Sequence, residues 1–157
     1  MIPDVHYVDG IAPINGGSAR SGDWGSLKYY QHVTIVVQIA MGNAATTAIT
    51  VDKAKTAAGG SNSDGISITN WWKVAGVAGA SDTYTKGAAA TSITSAATGS
   101  GREVFVLEFD AAELGDDYDF IQVELGASSA SNIVSALYIF SSPRYPASHD
   151  TAMTAIA

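Results

Sequence analysis

Apolar and polar residues alternate along several segments of this chain. In Leu27–Ala40 the odd positions from Val33 to Ile39 are all apolar, whereas the even positions are mostly polar. Arg102–Asp110 and Asp119–Gly126 repeat the same period of two. Because neighbouring side chains of a strand point to opposite faces, each segment predicts a strand with one buried and one polar face, as in an antiparallel sheet.

Further strands are predicted between these segments. Thr46–Ala54, Ile66–Ala75 and Asn132–Ser141 have strand-like patterns and are bounded by residues typical of turns. Asn132–Ser141 is apolar on both faces, so we expect it to be central in a sheet or covered. Short strands are predicted at Asp82–Thr85 and Thr91–Thr94. Together these elements predict an all-β fold, a single antiparallel β-sandwich of the jelly-roll-like type.

The alternation also predicts which side chains form the inner layer of the sandwich. They are Val33, Ile35, Val37, Trp72, Phe105, Leu107, Phe109, Ile121, Val123, Leu125, Leu137 and Ile139. In this assignment Trp72 points inward and Trp71 outward, because adjacent residues of a strand face opposite sides. One helical turn is predicted at Ala111–Leu114, with Asp110 as its N-cap and Gly115 as the residue that ends it.

The two ends of the chain differ in composition from the sandwich domain that is predicted at residues 27–141. Residues 1–26 contain two prolines and several glycines, which leaves room only for a short strand at Val5–Val8. Residues 142–157 are rich in small residues and proline. We therefore expect an extended N-terminal arm and a C-terminal tail, of which one or both are loosely ordered in the free protein and become fixed on docking.

Charge and composition narrow the range of partners. The chain has 8 Lys and Arg against 15 Asp and Glu, a net charge of −7, and nucleic-acid binding needs clustered basic residues, so we expect no nucleic-acid partner. Only 15% of the residues are charged, below the ~25% of ordinary domains, which indicates that part of the surface meets other protein. Met1–Asp4 does not resemble a signal peptide, and no apolar run approaches the ~20 residues of a membrane span, so we expect no membrane partner.

Candidate chemistry is sparse. The chain has no cysteine, and His6, His32 and His149 lack the spacing of paired metal ligands. The acidic loop, which we define as Asp110–Asp119, is interpreted as a solvated turn, with a calcium site as the open alternative. No G-x-S-x-G sequence precedes a predicted helix. We therefore expect no enzymatic activity, no resident metal and no cofactor.

Aromatic residues leave a second function open. Trp71 and Trp72, with Tyr29, Tyr30 and Tyr84, could supply rings that stack on sugars. Two adjacent residues of a strand cannot share one platform, so we expect one tryptophan in the core and the other at an interface. A glycan- or receptor-binding module on a virion or cell surface therefore remains the alternative function.

Several segments together resemble one family of virion proteins. They are Lys28–Thr34, Thr69–Val74, Phe105–Leu114, Tyr118–Leu125, Ala136–Phe140 and Pro143–Tyr145. The pattern is similar to that of the small structural proteins that decorate or cement the capsids of tailed bacteriophages, and it extends over residues 27–146. The resemblance implies a β-sandwich on the outer capsid surface of the virion, with the major capsid protein as its partner.

Five residues are predicted to contact partner proteins. Tyr7, Trp24, Arg144 and Tyr145 lie in the predicted arm and tail, and Trp71 lies in a strand. Aromatic residues and arginine are enriched where protein interfaces concentrate their binding energy. We expect these residues to meet the major capsid protein or further copies of this chain, as a homo-oligomer (a dimer or trimer).

Overall fold

The computed structural model describes residues 5–59, 64–76, 83–96 and 100–144. Most of these residues lie in strands or in the short turns between them. In chain order the elements are β1 (Val5–Asn15), β2 (Arg20–Ser21), β3 (Gly25–Ser26), β4 (Tyr30–Met41), β5 (Ala48–Ala54), β6 (Asp64–Gly65), β7 (Asn70–Gly76), β8 (Thr85–Lys86), β9 (Ile93–Thr94), β10 (Gly101–Asp110), a 3-10 helix (Ala111–Leu114), β11 (Phe120–Leu125) and β12 (Ile133–Pro143).

These strands form two antiparallel sheets. The first sheet has the strand order β1-β12-β4-β10-β7-β8, and the second has the order β2-β11-β5-β6. In the second sheet β3 also pairs with β11, and β9 also pairs with β5. The apolar faces of the two sheets enclose one core. The predicted all-β antiparallel sandwich is therefore confirmed.

The centre of the core comes from the strands with the strictest alternation. Every second residue of β4, β10 and β11 is at most 1% exposed over their central parts. These residues are Val33, Ile35, Val37, Ile39, Phe105, Leu107, Phe109, Ile121, Val123 and Leu125. The predicted inner layer is confirmed apart from Trp72, Leu137 and Ile139.

Two polar groups inside the sandwich have partners. Glu103 is 4% exposed, forms an ion pair with Lys73, and accepts the backbone N–H of Ala96 at 2.9 Å. The hydroxyl of Tyr138 reaches from the first sheet to the second, where it accepts the backbone N–H of Val123 at 2.9 Å. Burial raises the pKa of the Tyr138 phenol. Both polar groups thus meet the requirement that buried polar atoms be hydrogen-bonded.

β1 differs from the irregular arm that the sequence predicts. It continues to Asn15 rather than ending at Val8, and it pairs with β12 along the edge of the first sheet. The register shifts between Asp9 and Ile11 and again between Ile11 and Ile14. These irregularities change the period of two, so Val8 and Ile11 are both buried although they are three residues apart. This part of the predicted arm belongs to the sandwich, as do β2 and β3.

The prediction for the two tryptophans is wrong. Trp71 lies opposite Leu107 and shares the core side of the sheet, whereas Trp72 lies opposite Val106 on the other side. The prediction assumed that the alternation continues unbroken from Ile68 into β7, so that the even-numbered Trp72 would face the core. Ile68, however, forms an isolated bridge before β7 begins, and the alternation restarts with the opposite phase. A shift of one residue exchanges the two faces of a strand.

The prediction for β12 is also wrong in its choice of face. Tyr138 and Phe140 are fully buried, and Leu137 and Ile139 lie half-buried on the other side. Both faces of this strand are apolar, so alternation of polarity cannot distinguish them, and the larger aromatic rings fill the core. The expected interior position is confirmed, because β12 lies between β1 and β4.

The predicted helical turn is confirmed as a 3-10 helix. The carboxylate of Glu113 accepts the backbone N–H of Asp110 at 2.8 Å. Gly115 ends the helix with a φ of 82°, a conformation that favours glycine, and its N–H donates to Ala112 at 3.3 Å. Within the ranges given above, the chain contains no helix that is long and apolar enough to cross a membrane.

Candidate interaction surface

The first sheet has a second face, turned away from the core, which we call the outer face. Directly opposite residues on neighbouring strands lie on the same face, so the strand register defines rows of side chains that cross it. The central row, in order from β8 to β1, is Lys86, Trp72, Val106, Val36, Leu137 and Asp9.

Four consecutive residues of the central row are apolar. Trp72, Val106, Val36 and Leu137 come from four adjacent strands, and each is half-buried. Neighbouring strands lie ~4.8 Å apart, so this apolar stripe extends over about 14 Å between its outermost strands. Each of the four side chains keeps apolar surface that is open to solvent.

The neighbouring rows are more polar. On one side, the row begins with Asn70, Glu108 and Thr34 and ends with Ile139 and Tyr7. On the other side, the row is Val74, Val104, Gln38 and Ser135. Tyr7 is 54% exposed. The apolar stripe is therefore continuous along the central row, with further apolar residues beside it at Ile139 and Tyr7 on one side and at Val74 and Val104 on the other.

The two ends of the central row carry opposite charges. The Lys86 ammonium lies 5.5 Å from the centre of the Trp72 ring and donates to Asn70 at 3.4 Å. Asp9 is exposed at the opposite edge, beside a depression that Arg20 also lines. Among the described residues, neither Lys86 nor Asp9 takes part in an ion pair. The row is thus an apolar stripe with a cation at one end and an anion at the other.

A shallow depression of about 380 Å³ adjoins the β7 end of the stripe. Its lining consists of Trp72, Tyr84, Val106 and Glu108, and Tyr84 is 57% exposed. An aromatic ring beside a carboxylate offers a stacking plane and hydrogen-bond acceptors. These are groups that can hold a sugar ring.

A threonine, a histidine and an aspartate lie in line near the 3-10 helix. Thr34 Oγ1 is 3.4 Å from His32 Nε2, and His32 Nδ1 is 2.9 Å from Asp110 Oδ1. This order is that of a nucleophile, a base and an orienting acid. The Asp110 side chain is 68% exposed, however, so water screens its charge, and the site lacks the dry surroundings that strengthen catalytic electrostatics. We interpret these contacts as ties between β4 and the end of β10.

The predicted interface residues do not form one cluster. Tyr7 lies on the outer face, and Trp24 is half-buried between β2 and β3. Trp71 faces the core, and its indole N–H donates to a backbone carbonyl at 2.8 Å. Arg144 is exposed after β12, beside a depression near the 3-10 helix. Tyr145 lies outside the described residues.

Two lysines of the preceding part of the chain contact the acidic loop. Lys55 forms an ion pair with Asp117 at 3.3 Å, and the Lys53 ammonium donates to the Leu114 carbonyl at 2.8 Å. In the part of the chain that the structure describes, no group of three or more His, Asp or Glu side chains is arranged to hold a metal ion. Several carboxylates of the loop have protein partners, among them Asp110 with His32 and Asp117 with Lys55.

Sequence reasoning did not find the central row. The sequence pattern places Trp72 and Leu137 in the core, and Val36 and Val106 occupy outward positions in strands whose other face is clearly buried. These two outward valines are the sequence feature that indicates the surface. Each lies on the solvent side of a strand with clear alternation, where an apolar side chain has no packing role inside the sandwich.

Comparison with known proteins supports the fold. The crystal structure of the SPBc2 prophage-derived protein YomS superimposes with a TM-score of 0.52 at 16% sequence identity, covering 90% of this chain and 96% of that chain. At this identity the similarity shows a shared fold. The structure of the infectious bursal disease virus Gx strain gives a TM-score of only 0.24 at 7% identity, covering 100% of this chain and 44% of that chain, and carries no argument. No protein-family model and no curated protein matches the chain.

Proposed function

We propose that this protein is a non-enzymatic structural component of a tailed-bacteriophage virion, where it decorates and stabilises the outer capsid surface by binding the major capsid protein. The outer face carries the proposal, as a surface that an assembly would cover. A stripe formed by Trp72, Val106, Val36 and Leu137, on a chain with only 15% charged residues, fits a protein that works packed within an assembly.

Three other observations support the same function. The segments quoted above resemble those of capsid decoration proteins. The net charge of −7 would be repelled by packaged DNA, which favours a position outside the shell. A protein derived from a prophage has the same fold, although its likeness extends to the fold alone.

The test is a count of copies in purified particles. Particles are prepared from the phage or induced prophage that encodes the chain, and the ratio of this protein to the major capsid protein is measured by quantitative mass spectrometry. A decoration protein is expected at a ratio near one copy per capsid subunit or per small group of subunits. A handful of copies would place the protein at the neck or tail, and its absence from particles would overturn the proposal.

A second candidate function is glycan binding. The depression beside Trp72, Tyr84 and Glu108 favours it, because the aromatic rings and the carboxylate lie together at the surface. Screening against a glycan array, followed by titration of tryptophan fluorescence, tests this function. We then expect Trp72→Ala to abolish binding and Trp24→Phe to preserve it. Binding that is equal in both variants, or no binding on the array, would reject the alternative.

A further inference from the structure

We propose that the outer face is an interface between two copies of this chain. The two copies are related by a twofold axis that runs parallel to the strands and passes between β4 and β10. The inference rests on the proposed function in one respect only, that the outer face is buried in an assembly. It goes further by naming the occupant of that face as a second copy.

The order of charges along the central row carries the inference. A twofold axis parallel to the strands reverses the row, so Lys86 of one copy lies over Asp9 of the second copy, and this contact occurs twice. The same operation places Trp72 over the second copy's Leu137 and Val106 over the second copy's Val36. Each charge of the central row therefore meets its opposite, and the apolar stripe meets an apolar stripe. Such matching of charge and surface is what fixes the register of protein interfaces.

The position of the axis follows from the sheet. The first sheet has six strands, with β4 and β10 as its middle pair. An axis between them therefore places every strand of one copy's sheet over a strand of the second copy's sheet. In the adjacent row the operation places Glu108 opposite Thr34 of the second copy, a carboxylate opposite a hydroxyl donor. A twofold axis perpendicular to the strands would instead place Lys86 over Lys86 and Asp9 over Asp9. Like charges in contact select against that second arrangement.

The size of the face is sufficient for a dimer. Six strands span about 24 Å, and the ten residues of β10 span about 34 Å, so the face offers roughly 800 Å² in projection. A stable interface of standard size buries about 800 Å² on each partner. Sheets that pack face to face with strands nearly aligned are a common arrangement inside β-sandwiches. The proposed dimer repeats this packing between two copies.

Charge reversal tests the register directly. Asp9→Lys alone brings two lysines together at each end of the interface, and Lys86→Asp alone brings two aspartates together. We expect each single variant to raise the dissociation constant of the dimer about tenfold or more. When the two single variants are mixed, every lysine in the heterodimer faces an aspartate. Dimers should therefore re-form at close to the wild-type dissociation constant.

The measurement is sedimentation velocity over about 1–200 µM protein, a range that brackets micromolar dissociation constants. Asp116→Lys and Lys28→Asp, which reverse exposed charges outside the rows of the outer face described above, serve as matched controls and should dimerise normally. Val36→Glu places a charge beside the axis and should give a monomer. Circular dichroism spectra and melting curves confirm that every variant is folded before it is compared.

Two results would overturn the inference. One is a wild-type protein that stays monomeric over the whole range of concentration. The other is a dimer that the single reversals do not weaken, or that mixing them does not restore, because its contacts would then lie elsewhere. Neither result bears on the count of copies in particles, so the failure of the dimer and the failure of the proposed function are distinguishable.

Discussion

Replacing Tyr138 by phenylalanine is the most direct perturbation of the packing between the two sheets. The Tyr138 hydroxyl accepts the N–H of Val123 at 2.9 Å, and both residues are fully buried. Along this edge of β11, the pairing with β3 ends at Ile121 and the pairing with β2 begins at Glu124. The Tyr138 hydroxyl therefore lies opposite the gap between these two short strands. Tyr138→Phe removes this partner from a buried amide.

The expected loss follows from the burial. Leaving a buried backbone donor without its partner costs about 1–3 kcal/mol, and the ring itself stays in place. Urea unfolding followed by tryptophan fluorescence gives the free energy of unfolding of both proteins. Tyr84→Phe is the matched control, because that hydroxyl is on an exposed side chain, and it should change stability by less than about 0.5 kcal/mol. A Tyr138→Phe variant as stable as the control would refute the role given to this hydroxyl.

The same variant has a signature in its pH dependence. Burial raises the pKa of Tyr138 above the ordinary value of 10.0, so the folded protein keeps this proton at a pH where the unfolded chain releases it. Stability from this group is fully present below pH 10 and falls as the pH rises further, by up to about 1.4 kcal/mol per pH unit. The pKa of Tyr30 is also raised by burial, but that contribution is common to both proteins. The difference between wild type and Tyr138→Phe should therefore shrink above pH 10, and a constant difference would contradict this explanation.

Three further predictions concern the rest of the sandwich. Glu103→Gln leaves the Lys73 ammonium without its carboxylate and should lower the free energy of unfolding by about 1–3 kcal/mol. The loss is smaller than for a fully buried ion pair because Lys73 retains access to water. The exposed Asp117→Asn is the control and should change the urea midpoint little. Gly87→Ala would place a Cβ in steric overlap with the Trp71 ring and should lower the melting temperature by several degrees, about 2–4 °C for each kcal/mol lost; an unchanged melting temperature would contradict the packing. Neither EDTA nor calcium should shift the melting temperature, and stabilisation by calcium would revive a site in the acidic loop.

The parts of the fold that sequence could predict are those where the two faces of a strand differ in polarity. In β4 and β10, inward residues such as Ile35 and Leu107 alternate with polar ones such as Gln38 and Glu108. Only one choice of face buries the apolar set, so the inward side chains follow from the pattern. The turn at the 3-10 helix was predictable for a local reason as well, since Asp110 and Gly115 mark its two ends.

The remaining parts depend on contacts that no local pattern encodes. β12 is apolar on both sides, so only the register with β4 shows that Tyr138 points inward. The phase of β7 depends on a break at Ile68 that falls outside the strand. In β1 the irregular register separates Val8 from Ile11 by three residues and hides the alternation. In each case tertiary packing decides what local sequence leaves open.

The outer face is a non-local feature of the same kind. Its central row takes one residue from each of six strands that lie far apart in sequence, so no motif marks it. The opposite charges of Lys86 and Asp9 acquire meaning only when the strand order places them at the two ends of one row. The predicted interface set therefore omits Trp72, and it contains Tyr7 only because that residue is an aromatic side chain of the predicted N-terminal arm.

The most direct test of the account is the incorporation of outer-face variants into particles. Val36→Glu is compared with Thr46→Glu, which adds the same charge at an exposed position outside the outer face. Both are expressed in place of the wild-type protein during particle assembly, and their copies per particle are counted by quantitative mass spectrometry. We expect Thr46→Glu at the wild-type copy number and Val36→Glu reduced at least about tenfold, since a buried charge at the centre of an interface is strongly unfavourable. Equal incorporation of a folded Val36→Glu protein would contradict the claim that the outer face is the working surface of this molecule.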